Sequence, residues 1–290
     1  MQRLLLRILA SLPLPLLHGM AFVVGELLYR LQSRQRYYAD TNLALCFPEL
    51  SEEERRRLSR QSVIETSKFL FESPKLWLGR ASGINRLLRE ITGESFLKKG
   101  LASGKGVILI CPHLGNWEMI GLYISQHYPM TNMYRPQRNK KFDAIIRQGR
   151  ERFGARLVPA TNQGLRELLK TLKNGEIIGT LPDQNPGSGT GVFVPFFGVM
   201  AYTPVFAARL AARTGATVLN AYALRLPHGR GFHLHITPAS DCLHSDDIEE
   251  AATCMNRDIE RLIKLTPQQY WWGYNRFRNR PPGKPAIYTR

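Results

Sequence analysis

A histidine and a carboxylate stand five residues apart directly after an apolar run. Val107–Ile110 is continuously apolar, which is typical of a strand buried on both faces of a sheet. Pro112 ends the run, because a proline donates no hydrogen bond to a neighbouring strand. His113 follows, and after Glu118 an apolar stretch predicts a buried helix. We therefore predict that His113 lies in a strand-to-helix turn, at the edge of the sheet where α/β proteins bind their ligands.

These two side chains are suited to proton transfer. A histidine has an ordinary pKa of about 6.5 and can exchange a proton near neutral pH. On one continuous helix, residues five apart point about 140° away from each other, so the pair can cooperate only if His113 lies in the turn. A carboxylate on one ring nitrogen would then fix the tautomer and support the charge that protonation creates. We predict that His113 is a general base and that Glu118 orients it. The alternative is a capping turn in which the two side chains have only a structural role.

The segment from Pro112 to Glu118 reads Pro-His-Leu-Gly-Asn-Trp-Glu. It resembles the H-x-x-x-x-[DE] core of the glycerolipid and lipid A acyltransferases, and in particular the branch that adds secondary (late) acyl chains to lipid A, the lauroyl and myristoyl acyltransferases. Two further phrases are similar to that branch: Asn-Leu-x-x-Cys-Phe-Pro-Glu-Leu-Ser from residue 42, and Gln-Tyr-x-Trp from residue 269. The basic and aromatic run that follows the last phrase suits a membrane interface.

The resemblance implies more site residues. In that family an arginine about thirty residues after the acid enters the active site; Arg150 matches this place best, and Arg147 and Arg152 remain alternatives. Pro182-Asp183-Gln184 follows another short strand and matches a later family motif, in which the aspartate is required. We expect Asp183 to hold an arginine of the site or to bind the acceptor sugar, and the alternative is an ordinary Asx-turn.

The predicted site thus has two sets of residues. The residues that we predict to be catalytic are His113, Glu118, Arg150 and Asp183. The residues that we predict to contact the substrate are Asn116, Arg135, Arg147 and Gln184.

The resemblance also implies the fold and the reaction. The expected fold is α/β and glycerolipid-acyltransferase-like, with a mixed central sheet flanked by helices and an N-terminal membrane-associated helix. The expected reaction transfers an acyl chain from acyl-carrier protein to a hydroxyl of a Kdo-bearing lipid A precursor. His113 would take the proton of that hydroxyl, and Arg150 or backbone N–H groups would stabilise the oxyanion. No protein nucleophile is evident, because G-x-S-x-G is absent and Cys111 belongs to the buried strand.

Cofactors and metals are not expected. G-x-G-x-x-G is absent. His233 and His235 share one face of a predicted strand, but no third ligand accompanies them. None of the four cysteines forms a C-x-x-C pair, so we interpret them as reduced thiols in a domain that faces the cytoplasm. These cysteines are Cys46, Cys111, Cys242 and Cys254.

The chain of 290 residues carries 40 Lys and Arg against 23 Asp and Glu, a net charge of +17. Such an excess favours anionic partners: phosphorylated lipids, an anionic membrane, an acidic carrier protein or nucleic acid. The resemblance favours the first three, at the bacterial inner membrane. Two rival functions stay open: transfer to another lipid acceptor, such as a lysophospholipid or a mannosylated inositol lipid, and a non-enzymatic basic protein that binds membranes or RNA.

The first residues, 1–34, are predicted to be a membrane anchor or interfacial helix, followed by an acyltransferase domain at 35–290. The apolar run from Ile8 to Val24 is interrupted by prolines and is marginal for a spanning helix. A docked amphipathic helix and a cleaved signal peptide are the other two interpretations, and no small-x-small cleavage site follows the run. Further along, Ser51 with Glu54 predicts a helix start that runs to about Glu72, ahead of Pro74, and Thr203-Pro204 predicts another.

Overall fold

The computed structural model describes residues 2–187 and 189–289, so Met1, at the start of the predicted anchor segment, lies outside the described residues. Within them, the strands are β1 (Leu88–Thr92), β2 (Val107–Ile110), β3 (Met130–Tyr134), β4 (Arg156–Pro159), β5 (Ile177–Thr180), β6 (Gly191–Phe196), β7 (Val199–Pro204), β8 (Thr217–Arg225) and β9 (Phe232–Pro238). The α-helices are α1 (Gln2–Ser11), α2 (Leu14–Arg30), α3 (Arg34–Cys46), α4 (Glu52–Leu78), α5 (Ala81–Leu87), α6 (Glu94–Ala102), α7 (Trp117–His127), α8 (Lys140–Glu151), α9 (Asn162–Lys173), α10 (Phe206–Thr214) and α11 (Ile248–Leu265).

Seven strands form a central sheet in the order β1-β9-β8-β2-β5-β3-β4, and β6 and β7 form a separate hairpin. The pair β8–β9 is antiparallel and the other neighbours in the central sheet are parallel, which confirms the predicted mixed sheet flanked by helices. β2 is central and fully buried, as its apolar run predicts. Its residues alternate between two cores, since Ile108 and Ile110 pack in one cluster and Val107 and Leu109 in the other.

The predicted strand before Pro112 and the predicted buried helix after the motif are confirmed as β2 and α7. The helix start at Ser51 is a complete capping box: the Ser51 hydroxyl accepts from the backbone N–H of Glu54, and the Glu54 carboxylate accepts from the N–H of Ser51. The predicted end of that helix is wrong, because α4 continues through Pro74. The helix survives because the apolar residues beyond the proline, Leu76 and Trp77, are buried against the core.

The second predicted helix start is also wrong. Thr203 and Pro204 end strand β7, and α10 begins at Phe206. The Thr203 hydroxyl caps no helix, since it accepts hydrogen bonds from Asn256 and Arg276. The strand forms because β6 and β7 pair as a hairpin, whose two turn residues, Phe197 and Gly198, both have positive φ angles as a tight hairpin turn requires.

Helix α2 lies against α4 through one face and exposes an apolar stripe on the other. Gly25 marks the close contact, because a Cβ atom there would lie 2.7 Å from the Ile64 Cα. The stripe repeats at helical spacing and consists of Leu16, Met20, Val23, Val24, Leu27 and Leu31. Among the described residues no single helix has both the length and the apolar composition to cross a membrane. Helices α2 and α3, which meet at a bend of 76°, reach the length and apolar composition of a membrane span only when they are taken together. Membrane association of this segment therefore stays a prediction.

The interpretation of all four cysteines as reduced thiols is wrong for one pair. Cys242 and Cys254 form a disulfide, with their Cα atoms 5.9 Å apart. The spacing of twelve residues gives no C-x-x-C signal, but the chain turns back between them and brings the start of α11 against the preceding 3-10 turn. Cys46 and Cys111 are free and buried.

A buried charge network ties the N-terminal helices to the sheet. Glu72 on α4 is completely buried and accepts hydrogen bonds from Arg225 at 2.8 and 2.9 Å, from Asn116 at 2.7 Å and shares one with His18 at 2.6 Å. Burial alone would raise the pKa of Glu72, but Arg225 and His18 more than offset it and lower the pKa to about 2. The carboxylate therefore stays ionised and holds α2, α4 and β8 together.

We expect Glu72→Gln to lower the free energy of unfolding by about 3–5 kcal/mol at pH 7, because it removes the nearest carboxylate from the buried charge of Arg225 and leaves Glu65, 3.6 Å away, as the remaining one. Since the folded pKa lies below the unfolded value of 4.5, this contribution is present above about pH 4.5 and is lost as the pH falls toward 2. Urea unfolding at pH 7 and pH 3 measures it, and the difference from wild type should shrink at pH 3. Glu53→Gln, exposed on the same helix, is the control; equal stability of E72Q and wild type at pH 7 would contradict the argument.

Candidate active site

The site forms where two parallel strands end side by side. β2 pairs with β5 so that Ile110 lies opposite Thr180. Each strand is followed by one residue and then a proline, and the next residue is His113 in one case and Asp183 in the other. The matching offsets bring the histidine and the aspartate to the same point on the carboxyl edge of the sheet, as the predicted turn for His113 requires.

The imidazole of His113 is held from both sides. Its Nδ1 lies 2.7 Å from Asp183 Oδ1, and the backbone N–H of His113 donates to Asp183 Oδ2 at 2.8 Å. Its Nε2 lies 3.1 Å from the side-chain nitrogen of Gln184. In the neutral ring, the carboxylate accepts from a proton on Nδ1, which leaves the lone pair of Nε2 to accept from the amide of Gln184. The ring is thus oriented as a base at Nε2.

The predicted orienting role of Glu118 is wrong in this geometry, since Asp183 bonds the imidazole and both Glu118 oxygens bond Arg150. The Arg150 Nε donates to Glu118 Oε2 at 2.9 Å, and its Nη2 donates to Oε1. Burial would raise the pKa of Glu118, but Arg150 more than offsets it and keeps the carboxyl ionised. The reason is positional: Glu118 lies in the first turn of α7, on the side that faces α8. Asp183 bonds the histidine instead of an arginine, and its other expected role, binding of the acceptor sugar, stays a prediction.

The three candidate arginines have different surroundings. Only Arg150 reaches Glu118. Arg147 is exposed and pairs with Glu151 on its own helix at 3.1 Å. Arg152 donates to the backbone carbonyls of Leu76 and Gly79 at the end of α4. The structure therefore brings Arg150 into the site, and it places the predicted substrate contact Arg147 on the solvent face.

The other predicted substrate contacts divide in the same way. Gln184 touches His113 as described, and Arg135 is exposed and lines the hollow described below. Asn116 is wrong as a substrate contact, because it is fully buried. Its Oδ1 caps α7 by accepting from the N–H of Met119, and its Nδ2 donates to Glu72.

Sequence analysis missed the residues behind Asp183. Tyr270 and Arg276, both buried, come from the basic and aromatic run near the end of the chain. Burial first, and then the nearby charge of Asp183, raises the pKa of Tyr270. Arg276 supplies a buried positive charge near the same carboxylate, and burial lowers the pKa of its guanidinium. The predicted membrane-interface role is therefore wrong for these two side chains. Their phrase was recognised in the sequence, but its spacing gives no sign of what it packs against.

The backbone of the turn is fully engaged. The N–H of Leu114 donates to Pro112 O, that of Gly115 to Gln269 O, and that of Asn116 to Ala223 O, at 2.7–3.0 Å. The N–H of His113 already bonds Asp183. These four groups are thus unavailable to a substrate oxygen.

A hollow of about 300 Å³ opens beside the site, a size at the lower end of the range for ligand pockets. Trp117, which lies edge-on to the His113 ring with 4.7 Å between ring centroids, forms one wall. Glu118, Arg150 and Arg135 supply the charges, and most of the remaining lining is apolar or small. Cys111 lines it too, but burial raises the pKa of its thiol to about 12, so the sulfur is protonated at neutral pH.

No group of three or more His, Cys, Asp or Glu side chains in residues 2–187 and 189–289 has the arrangement of a metal site. His233 and His235 pack ring against ring, 3.8 Å between centroids. Burial and the neighbouring His233 lower the pKa of His235 to about 4, so that ring is neutral at physiological pH.

A proton acceptor held by a carboxylate beside an apolar hollow suits the transfer of acyl groups to hydroxyls. The chain belongs to the family of bacterial lipid A biosynthesis acyltransferases, whose family model matches residues 2–279. It is therefore an acyltransferase of lipid A biosynthesis, which decides against the non-enzymatic interpretation.

Its relatives cover nearly the whole chain. It is 30% identical to the lipid A biosynthesis lauroyltransferase of Escherichia coli (strain K12), over 97% of this chain and 91% of that protein. It is 29% identical to the palmitoleoyltransferase of the same strain, over 96% and 90%. It is 27% identical to the myristoyltransferase, over 92% and 82%.

The pairing of His113 with Asp183 predicts how their mutations combine. We expect His113→Ala and Asp183→Asn each to lower kcat for acyl transfer by about 10²–10⁴, and the double variant to be no slower than the slower single one, because the two act as a unit. Glu118→Gln acts through Arg150, so its loss should persist in the His113→Ala background. Circular dichroism controls for folding. If the loss of kcat in the double variant equals the product of the two single losses, His113 and Asp183 do not act as a unit.

Proposed function

We propose that the protein transfers a fatty acyl chain from acyl-carrier protein to a hydroxyl of a Kdo-bearing lipid A precursor. One observation carries the proposal: His113, oriented by Asp183, lies beside an apolar hollow in a chain of the lipid A acyltransferase family. The relatives whose names include lauroyl, palmitoleoyl and myristoyl transfer support a fatty acyl substrate and the lipid A acceptor. The site's positive charges support a phosphorylated or acidic partner.

The proposed reaction needs one base and no covalent enzyme intermediate. The acceptor hydroxyl replaces Gln184 as the donor to His113 Nε2, which takes its proton as the oxygen attacks the thioester carbonyl carbon. The imidazolium that forms is stabilised by the Asp183 carboxylate, which the surroundings keep ionised. The carbon–sulfur bond then breaks, and the proton passes from His113 to the leaving thiolate. The products are the ester and the free carrier thiol.

Arg150 is the proposed oxyanion donor. Its bonds to Glu118 use Nε and Nη2, so Nη1 is available to the negative oxygen of the tetrahedral intermediate. The role of Glu118 is then to fix the plane of the guanidinium. We expect Arg150→Lys to lower kcat by about 10²–10³, because an ammonium keeps the charge but loses the two-pronged geometry. Steady-state kinetics with the carrier thioester measures this, and a variant with wild-type kcat would exclude Arg150 as the donor.

The hollow is the proposed place of the acyl chain, and Gly121 is the proposed limit on its length. Gly121 lines the hollow one turn of α7 beyond Trp117, and a Cβ atom at Gly121 would meet no atom within 4 Å. A larger side chain would therefore occupy the space of the substrate and disturb little else. We expect Gly121→Leu to shift the preference toward shorter acyl donors.

Competition between donors of different chain length measures the shift as a change in relative kcat/KM. Gly19→Leu is the matched control, because Gly19 is also helical and also has no atom within 4 Å of its Cβ position. A change in preference in the control, or none in the Gly121 variant, contradicts the assignment.

The proposed location is the bacterial inner membrane, with the active domain on the cytoplasmic side. The exposed apolar stripe of α2 supports contact with a membrane. The free thiols of Cys46 and Cys111 support a reducing compartment, whereas the Cys242–Cys254 disulfide argues against it.

The decisive test supplies purified protein with labelled acyl-carrier thioester and three acceptors in separate reactions: the Kdo-bearing lipid A precursor, a lysophospholipid and a mannosylated inositol lipid. We expect label in the lipid A product only, and none with His113→Ala. Transfer to either other lipid at a higher rate would replace the proposed acceptor.

A further inference from the structure

A second hollow, of about 660 Å³, lies between α1, the last turn of α4 and α5. It shares no lining residue with the hollow beside the active site. Four basic side chains line it: Arg7, Lys75, Arg80 and Arg86. No acidic side chain is among the described residues of its lining, and none of the four basic groups belongs to an ion pair found in residues 2–187 and 189–289.

The end of α4 does not account for these charges. Basic side chains often satisfy the last carbonyls of a helix. Here Arg152 donates to the carbonyls of Leu76 and Gly79, and the N–H of Gly79 bonds the carbonyl of Lys75 at 2.8 Å. These carbonyls therefore have partners other than the four basic side chains of the hollow.

The positive charge in the hollow has a cost in electrostatic free energy. Like charges in one partly enclosed space repel each other. Lys75 is partly buried, its Nζ donates to the carbonyl of Ala10 at 2.9 Å, and burial lowers the pKa of its ammonium. An anion in the hollow would relieve the repulsion among the four side chains and restore the preference of Lys75 for its charged form.

The neighbouring face of α1 indicates where such an anion comes from. Leu4, Leu5 and Ile8 are exposed by 63%, 56% and 49%. At 100° per residue, Leu4 and Ile8 come next around the helix after the hollow-lining Arg7 and Ser11. If this apolar face enters the interface of a bilayer, the hollow lies at the depth of the lipid phosphates.

We propose that this hollow binds the phosphate of an anionic membrane phospholipid, whose acyl chains lie along the exposed face of α1. This site is separate from the acyl-transfer site. The proposal depends only on the proposed membrane contact of the first helices. A nucleic acid would match the charge but would leave the apolar face without a partner.

The test compares two triple variants that lose the same charge. Arg7→Gln/Arg80→Gln/Arg86→Gln empties the hollow of its exposed cations, and Arg209→Gln/Arg213→Gln/Arg257→Gln removes three exposed arginines from α10 and α11. Sedimentation with vesicles of phosphatidylcholine, alone or mixed with phosphatidylglycerol, measures the affinity. We expect the hollow variant to lose about a hundredfold in affinity for mixed vesicles, since each basic side chain at an anionic surface contributes about a factor of five. Its binding to phosphatidylcholine alone should match wild type, and the control should lose far less.

If both variants lose the same affinity for mixed vesicles, the charges act only through long-range attraction and the proposed phosphate site is wrong. Stabilisation of wild type, but not of the hollow variant, by inorganic phosphate without vesicles would assign the hollow to a free anion instead. A raised KM for the acceptor in detergent would assign it to the acceptor's phosphate. The single variant Arg80→Gln, with about a fivefold loss expected, keeps the test valid if the triple variant fails to fold. Vesicle binding needs no acyl transfer, so its outcome is independent of the proposed reaction.

Discussion

The whole site depends on the register between β2 and β5. These strands pair with Ile110 opposite Thr180. His113 and Asp183 each lie three residues beyond the end of their strand and therefore meet at the same point. A slip of one residue would move the aspartate by about 3.3 Å along the strand and break the bond to Nδ1. The fully apolar β2, whose residues alternate between two cores, holds this register because any slip would exchange its two buried faces.

The two buried carboxylates of the site are stabilised in different ways. Glu118 and Arg150 bond directly, whereas Asp183 bonds His113 and has the positive charge of Arg276 nearby. Burial would raise the pKa of both carboxyl groups, but Arg150 beside Glu118 and His113 beside Asp183 more than offset it. Any positive charge that the imidazole of His113 gains meets the Asp183 carboxylate already in place. Preorganised groups of this kind need not rearrange as the reaction proceeds.

The sequence predicted the strand, the turn and the helix around His113, because a buried strand ended by a proline is a local pattern. The mixed sheet and the choice of Arg150 in α8 came from the resemblance to the lipid A acyltransferases. The sequence misassigned the partner of the histidine, because the contact between His113 and Asp183 spans 70 residues and depends on strand order. The equal offset of Pro112 and Pro182 from their strands was the available signal. Tyr270 and Arg276 could not be placed, since nothing local tells which buried carboxylate a distant tyrosine approaches.

The place of β2 between β8 and β5 has a consequence for synthesis of the protein. During translation β5 emerges soon after β2, but β8 completes the other side only after residue 225 has left the ribosome. Until then the nascent chain presents a four-residue apolar strand with one bare edge, the kind of surface that pairs with other chains. The strand that precedes His113 thus needs protection from aggregation before folding is complete.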